Sequence, residues 1–230
     1  MNHRYHRLPW PLLLLMTVMG SGCTMPEPPP PRSAEPPAAR QAPQTLAVIG
    51  SDADIESRRR ALARTDDAVD PEAAGYFMDV FRARIKRDLA DTGIAVDYRD
   101  QAILVTFPGQ IGFEFGSAQL TAEAAVLVNL LGTILAEYRA TLIVISGHTD
   151  DVGDPEFNRR LSESRARSVA QHLANMGINQ ARLMVRGFGS DRPIAENASE
   201  AGRARNRRVE LMLQLLVRDP ILQPDKPESA

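Results

Sequence analysis

The residues best suited to chemistry lie between Ile143 and Arg165, in the run IVISGHTDDVGDPEFNRRLSESR. The apolar, β-branched stretch Thr141-Leu142-Ile143-Val144-Ile145 reads as a strand that breaks at Gly147 and exposes His148, Thr149, Asp150 and Asp151 on a loop. A helix then continues to about Met176. A strand that delivers polar groups to a loop just before a helix N-terminus is a common way to build a binding site. Along one face of this helix Leu161, Arg165, Val169, Leu173 and Met176 follow at helical spacing, with Asn158 one turn earlier. Arg165 thus interrupts an apolar stripe. Its guanidinium cannot shed its charge, so it needs either an internal carboxylate or a ligand carboxylate held by two parallel hydrogen bonds.

Catalytic readings find little support. His148, Asp150, Asp151 and Asp154 could be drawn as a metal cluster, but they crowd one loop, and no second ligand set such as H-x-x-x-H stands elsewhere. There is no nucleophile elbow and no P-loop, and Gly187-Phe188-Gly189 lacks the third glycine of a dinucleotide fingerprint. The expectation is a binding protein that is not an enzyme and uses neither cofactor nor metal.

Many spaced positions carry a resemblance. Gly147-His148-Thr149-Asp150, Gly153, Asn158, Leu161-Ser162, Arg165-Ala166, Gly187-Phe188-Gly189, Pro193, Asn197, Gly202-Arg203 and Asn206-Arg207-Arg208-Val209-Glu210 closely resemble the OmpA C-terminal-like family of peptidoglycan-binding domains. The likeness covers roughly the second half of the chain. It implies a ligand, the meso-diaminopimelate of the peptidoglycan stem, whose side-chain end carries an ammonium and a carboxylate on one carbon. Such a zwitterion needs an anion and a cation a few ångströms apart. Asp150 and Arg165, fifteen positions apart like the family's diaminopimelate-binding pair, meet that need, and the helix N-terminus adds a field that favours the carboxylate. Similarity also assigns Asn158, Leu161, Phe115 and Gly116 to the pocket wall. Many relatives have an acidic residue where this chain has Gly116, so only a backbone contact is expected there. The competing reading is an internal Asp150–Arg165 salt bridge with no ligand.

The elements that must hold these residues can be read in order. Arg4 and Arg7 followed by the apolar run Leu12 to Met19 and by Gly20-Ser21-Gly22-Cys23 make residues 1–22 resemble a bacterial lipoprotein signal, with Cys23 the lipidation site for chains such as palmitate. The departure is Gly20, where an aliphatic residue is usual, and the alternative is an ordinary secretory signal with an incidental cysteine. As the only cysteine, Cys23 allows no intrachain disulfide. Residues 23–44 are proline-rich and read as an extended, lipid-anchored spacer. Residues 45–101 contain a charged piece, Asp52 to Asp67, expected to be a solvated helix or unstructured. A helix opening at Pro71 follows, with Tyr76, Phe77, Val80, Phe81, Ile85 and Leu89 on one side, and then a hairpin of Ile94-Val96-Tyr98 against Ile103-Val105-Phe107.

Residues 102–218 then alternate helix and strand. A helix starts at Thr121, the strand Leu142 to Ile145 and the Arg165 helix follow, then a strand Arg182 to Val185, a short helix near Gly202 to Arg205, and a closing strand Val209 to Leu215. The expected fold is an α/β (α+β) sandwich of OmpA-like βαβαβ type, with a mixed sheet and helices packed on one face, preceded by the helix–hairpin segment. Residues 219–230, with Pro220, Pro224 and Pro227, read as a disordered tail.

Charge limits the partners. Removing residues 1–22 takes away Arg4 and Arg7 and no acids, moving the formal charge from −2 to −4, so nucleic acid is not an expected partner. The local cluster Arg203, Arg205, Arg207 and Arg208 is assigned to structural ion pairing or contact with the wall polymer. The resulting expectation is a lipoprotein of the outer membrane facing the periplasm, as Thr24 rather than Asp after Cys23 favours, that tethers the membrane to peptidoglycan. The alternative is a regulatory or assembly lipoprotein whose residues 45–98 grip a periplasmic protein while the wall-binding domain positions it. Labelled fatty acid is expected to enter the wild-type chain, and Cys23→Ser to leave an unprocessed or soluble product; wild-type protein free in the periplasm without lipid would overturn the anchor.

Overall fold

The computed structural model describes residues 51–99, 101–114 and 116–219. The signal, Cys23, the spacer, Phe115 and residues 220–230 lie outside the described residues. The elements run α1 (Asp52–Leu62), a 3-10 turn (Pro71–Ala73), α2 (Ala74–Asp88), β1 (Ala95–Arg99), β2 (Ala102–Pro108), the single turn α3 (Gly109–Gly112), α4 (Ala122–Glu137), β3 (Thr141–His148), α5 (Pro155–Asn175), a second 3-10 turn (Gln180–Arg182), β4 (Leu183–Gly187), α6 (Glu200–Asn206) and β5 (Arg208–Leu215). The strands form one mixed sheet in the order β1-β2-β5-β3-β4. Only β3 and β4 are parallel, joined by α5 as their crossover; the other neighbours are antiparallel.

The two faces of the sheet follow from strand alternation. Ile103, Val105, Ile143, Ile145, Val185, Leu211 and Leu213 point to one face, where they bury against α2, α4 and α5. Arg182 fastens one end of this layer: its guanidinium donates to the carbonyls of Leu135 at 3.1 Å and Tyr138 at 3.0 Å, closing the C-terminal end of α4, and to the Thr141 carbonyl at 2.8 Å. Leu142, Val144 and Met184 point to the other face, where Ile55 and Leu62 of α1 lie against them. The charged piece from Asp52 is therefore a packed helix, started by a capping box between Ser51 and Asp54 and tied to the sheet by Asp52–Arg186 at 2.6 Å. Among the described residues no helix is long and apolar enough to cross a membrane.

Three expectations change. The boundary drawn between residues 45–101 and 102–218 is not a domain boundary: residues 44–230 form one compact unit, β1 pairs with β2 along its length, and Met78, Phe81, Ile85 and Leu89 of the α2 region enter the main core. Within α2, Tyr76 is 78% exposed and Val80 39%, because Met78, Phe81, Ile85 and Leu89 define the buried face and Phe81 stacks on Tyr138 with ring centres 4.6 Å apart. The strand before the loop does not break at Gly147. It pairs with β5 through His148, and both His148 and Thr149 are buried, at 2% and 4% exposure. Gly147 answers a packing need instead: a methyl group there would overlap the Ser162 carbonyl of α5.

His148 stacks on Phe188 with ring centres 5.3 Å apart, and its Nε2 lies 3.5 Å from Glu210 Oε2. Burial draws the imidazole below its usual value of 6.5, against the opposing pull of Glu210. Burial alone would raise Glu210, but nearby His148 and the Arg208 guanidinium hold it down at about 2.

Two outcomes follow. Gly147→Ala should destabilise the fold by about 3 kcal/mol, since a main-chain carbonyl cannot swing aside, and lower Tm by roughly 6–12 °C; an unchanged melting curve would contradict the close approach. On acidification, unfolded chains take up protons that folded His148 resists, so stability should fall below pH 6.5. It should fall again from about pH 4.5 toward 2, where Glu210 and also Glu56, held down by Arg59 and Arg60, stay ionised only in the folded state. Urea midpoints measured across this range should show Glu210→Gln with a shallower acid limb than wild type.

Candidate functional site

α5 arranges the site. Asp154 caps it, accepting from the Phe157 amide at 2.7 Å, and Pro155 occupies its first position. Asn158 on the first turn is buried and donates Nδ2 to the carbonyls of Val152 at 2.9 Å and Asp150 at 3.4 Å, so it clamps the loop that follows β3. Two turns into the helix Arg165 is only 8% exposed. Its Nε donates to the Ser117 carbonyl at 2.9 Å, and its guanidinium carbon lies 5.2 Å from the centre of the Phe113 ring. Burial pushes the Arg165 pKa down, Arg207 adds to that, and Asp150 opposes both. The group nonetheless remains a cation.

Asp150 and Arg165 do not form the internal salt bridge weighed from sequence. Asp150 Oδ2 accepts from Arg207 Nη1 at 2.7 Å and Oδ1 from the Val152 amide at 3.2 Å. Among the described residues no carboxylate pairs with Arg165. Arg207 in turn donates Nη2 to Glu200 at 2.6 Å, and Glu200 also accepts from Arg203 at 2.9 Å. This chain of charges is held in place by Asn206, fully buried on α6. Its Oδ1 accepts the Ile194 and Ala195 amides at 2.8 and 3.0 Å, and its Nδ2 donates to Asn197 Oδ1 at 2.8 Å.

Asp150, Asn158, Leu161, Arg165 and Gly116 line one cleft of about 790 Å³, together with Phe113, Thr149, Arg203 and Arg207. Gly116 has φ +65°, a left-handed conformation in which it presents main chain alone. Phe115 and Cys23 lie outside the described residues. Sequence reasoning did not assign Phe113 or Thr149 to the site. Thr149 Oγ1 is buried without a hydrogen-bond partner in the cleft wall, and no sequence signal marks burial of a loop hydroxyl. Of the basic cluster, Arg203, Arg207 and Arg208 form ion pairs, with Glu200, Asp150 and Glu210 respectively.

The residues once eligible as a metal cluster do not converge. His148 stacks on Phe188, Asp150 bonds Arg207, Asp154 caps α5 and Asp151 is exposed. Among the described residues no group of three His, Cys, Asp or Glu side chains is placed to hold a metal ion. The cleft instead offers a cation whose terminal nitrogens are free of carboxylates and, beside it, a carboxylate with lone pairs to spare. That combination suits a ligand carrying both charges.

Comparison with known proteins agrees with this geometry. The OmpA family matches residues 112–207, a span that contains Asp150, Asn158, Leu161, Arg165 and Arg207. "Probable lipoprotein YiaD" of Escherichia coli is 36% identical over 142 residues, which is 62% of this chain and 65% of that protein. The peptidoglycan-associated lipoprotein of Pseudomonas aeruginosa is 36% identical over 99 residues, or 43% of this chain and 58% of that protein. The chain thus spans less than two thirds of the length of either relative. Among solved structures, the cell wall anchor of the T6SS from Pseudomonas aeruginosa superposes with a TM-score of 0.53 at 32% identity, covering 58% of this chain and 99% of that one. A MotB like protein from Desulfovibrio vulgaris gives a TM-score of 0.56 at 28% identity, covering 63% of this chain and 92% of that one. Residues 112–207 of this chain are an OmpA family domain.

Proposed function

We propose that this protein binds peptidoglycan non-catalytically through the diaminopimelate of the stem peptide, and that a lipid on Cys23 holds it to the outer membrane on the periplasmic side. The observation that carries the wall-binding reading is Arg165, a nearly buried guanidinium that faces the cleft with no carboxylate partner among the described residues. A buried cation of this kind is stabilised when a ligand carboxylate completes its hydrogen bonds. Asp150 then receives the ammonium on the same carbon, since its two oxygens retain lone pairs beyond those used by Arg207 and Val152. Leu161 and Phe113 border the space for the stem's aliphatic part, and Gly116 offers main-chain contact. The wall and lipoprotein names of the relatives support a tethering role.

The alternative, in which residues 45–98 grip a periplasmic partner, meets a constraint. That segment supplies Phe81 and Ile85 to the core and strand β1 to the sheet, so its deletion would remove packing as well as any partner surface. Point changes at exposed Tyr76 or Val80 probe the idea without that loss.

Arg165→Ala should weaken co-sedimentation with diaminopimelate-type peptidoglycan by tenfold or more, the loss of a charge-assisted contact worth about 1.5–3 kcal/mol. Its Tm should move little, because no carboxylate is left stranded. Asp150→Ala should weaken binding similarly and also lower Tm, because it strips Arg207 of a partner. A lysine-type stem, lacking the second carboxylate, should bind wild type about as weakly as diaminopimelate peptidoglycan binds Arg165→Ala. Undiminished binding by folded Arg165→Ala would refute the assignment.

A further inference from the structure

A second cavity, of about 440 Å³, lies between α1 and the sheet face turned away from the main core. Its floor is apolar, from Leu104, Val144 and Met212. The register gives its length: Gln214 pairs with Leu142, Met212 with Val144, Glu210 with Ser146 and Arg208 with His148, four rungs spanning about 20 Å. Gln214 lies toward one end. The other end is basic.

At the basic end two guanidinium groups share one aromatic ring. The carbon of the Arg192 guanidinium is 4.0 Å and that of Arg186 4.6 Å from the centre of Phe188. Like charges so placed repel each other unless an anion lies between them. Arg186 has a single carboxylate, Asp52 at 2.6 Å, from the solvent-exposed first turn of α1. Arg192 forms no salt bridge with a described residue. Arg208 differs, since Glu210 and the carbonyls of Asn206 and Arg192 satisfy it internally. The lining also holds buried polar atoms without hydrogen-bond partners, His148 Nδ1 and Gln214 Oε1. Such atoms are uncommon in an interior that serves packing alone.

We propose that this cavity is a second binding site, for an amphiphilic monocarboxylate. The head lies between Arg186 and Arg192 in place of the Asp52 carboxylate, and the apolar chain runs over Leu104, Val144 and Met212 beneath Ile55. A planar carboxylate matches the fork of a guanidinium. Asp52, Glu56 and Glu210 line the same cavity and disfavour a multiply charged head such as phosphate.

The test titrates the full chain with sodium octanoate, below the concentration at which it forms micelles, and reads binding by calorimetry. Wild type should bind one octanoate saturably. Octanol and inorganic phosphate should each bind at least about tenfold more weakly, isolating the head and the chain. Arg192 is exposed, so Arg192→Ala should keep its Tm and its sedimentation with peptidoglycan while losing about tenfold or more in octanoate affinity. Absence of saturable octanoate binding to wild type, undiminished binding by folded Arg192→Ala, or equal affinity for octanol would each overturn the proposal.

Discussion

The Ser162 carbonyl of α5 occupies the space that a side chain on Gly147 of β3 would fill, and the geometry of the cleft descends from this contact. Ser162 is fully buried, with its hydroxyl donating to the Arg159 carbonyl at 2.8 Å and accepting from the Gly189 amide at 2.9 Å, so helix, central strand and the loop after β4 are pinned at one residue. One turn further along the helix, Arg165 is carried over the end of β3, next to the loop bearing Asp150. A larger residue at position 147 would push α5 outward and move the cation from the anion it must work beside. Ångström-scale displacement of a charge-recognising pair is enough to lose complementarity.

Electrostatics at the cleft depend on which carboxylate meets which guanidinium. Arg207, just before β5, and Asp150, just after β3, lie at adjacent strand ends because β3 and β5 pair up to His148 and Arg208. This register gives Asp150 to Arg207 and leaves Arg165 with a main-chain carbonyl and an aromatic face. A closed Asp150–Arg165 pair would have satisfied both groups and left neither for a ligand. The fold instead fixes the carboxylate with a third residue while the buried cation still faces the cleft.

The sheet is also used on both faces. Its main face carries the apolar core under α2, α4 and α5, while the opposite face is covered only in part, by α1. Partial cover suits a helix rich in charge: α1 has enough apolar residues, Ile55 and Leu62, to dock, and its acidic first turn reaches Arg186. Between them remain polar side chains that neither the core nor the diaminopimelate cleft uses.

Much of this was legible in the chain itself. The periodicities of α4, α5 and β5 were readable because each buries one regular face, and the stripe from Leu161 to Leu173 with Arg165 inside it marked a cation in need of a partner before any contact was known. Asp150, Asn158, Leu161 and Gly116 came from a pattern of spaced residues, and they meet at one cleft. What the chain alone could not decide depended on contacts between residues far apart in sequence. Gly147 reads locally as a strand break, yet it is a strand residue whose missing side chain admits a helix. Tyr76 and Val80 fit an apolar face by spacing, but the approach of Tyr138 and the sheet selects Met78, Phe81 and Ile85 instead. Asp52 to Asp67 looks too polar to pack, because the face that receives Ile55 and Leu62 is built by strands that begin eighty residues and more later. The pairing of Asp150 with Arg207 rather than Arg165 depends on the β3–β5 register, and a register is a property of the sheet, not of either strand.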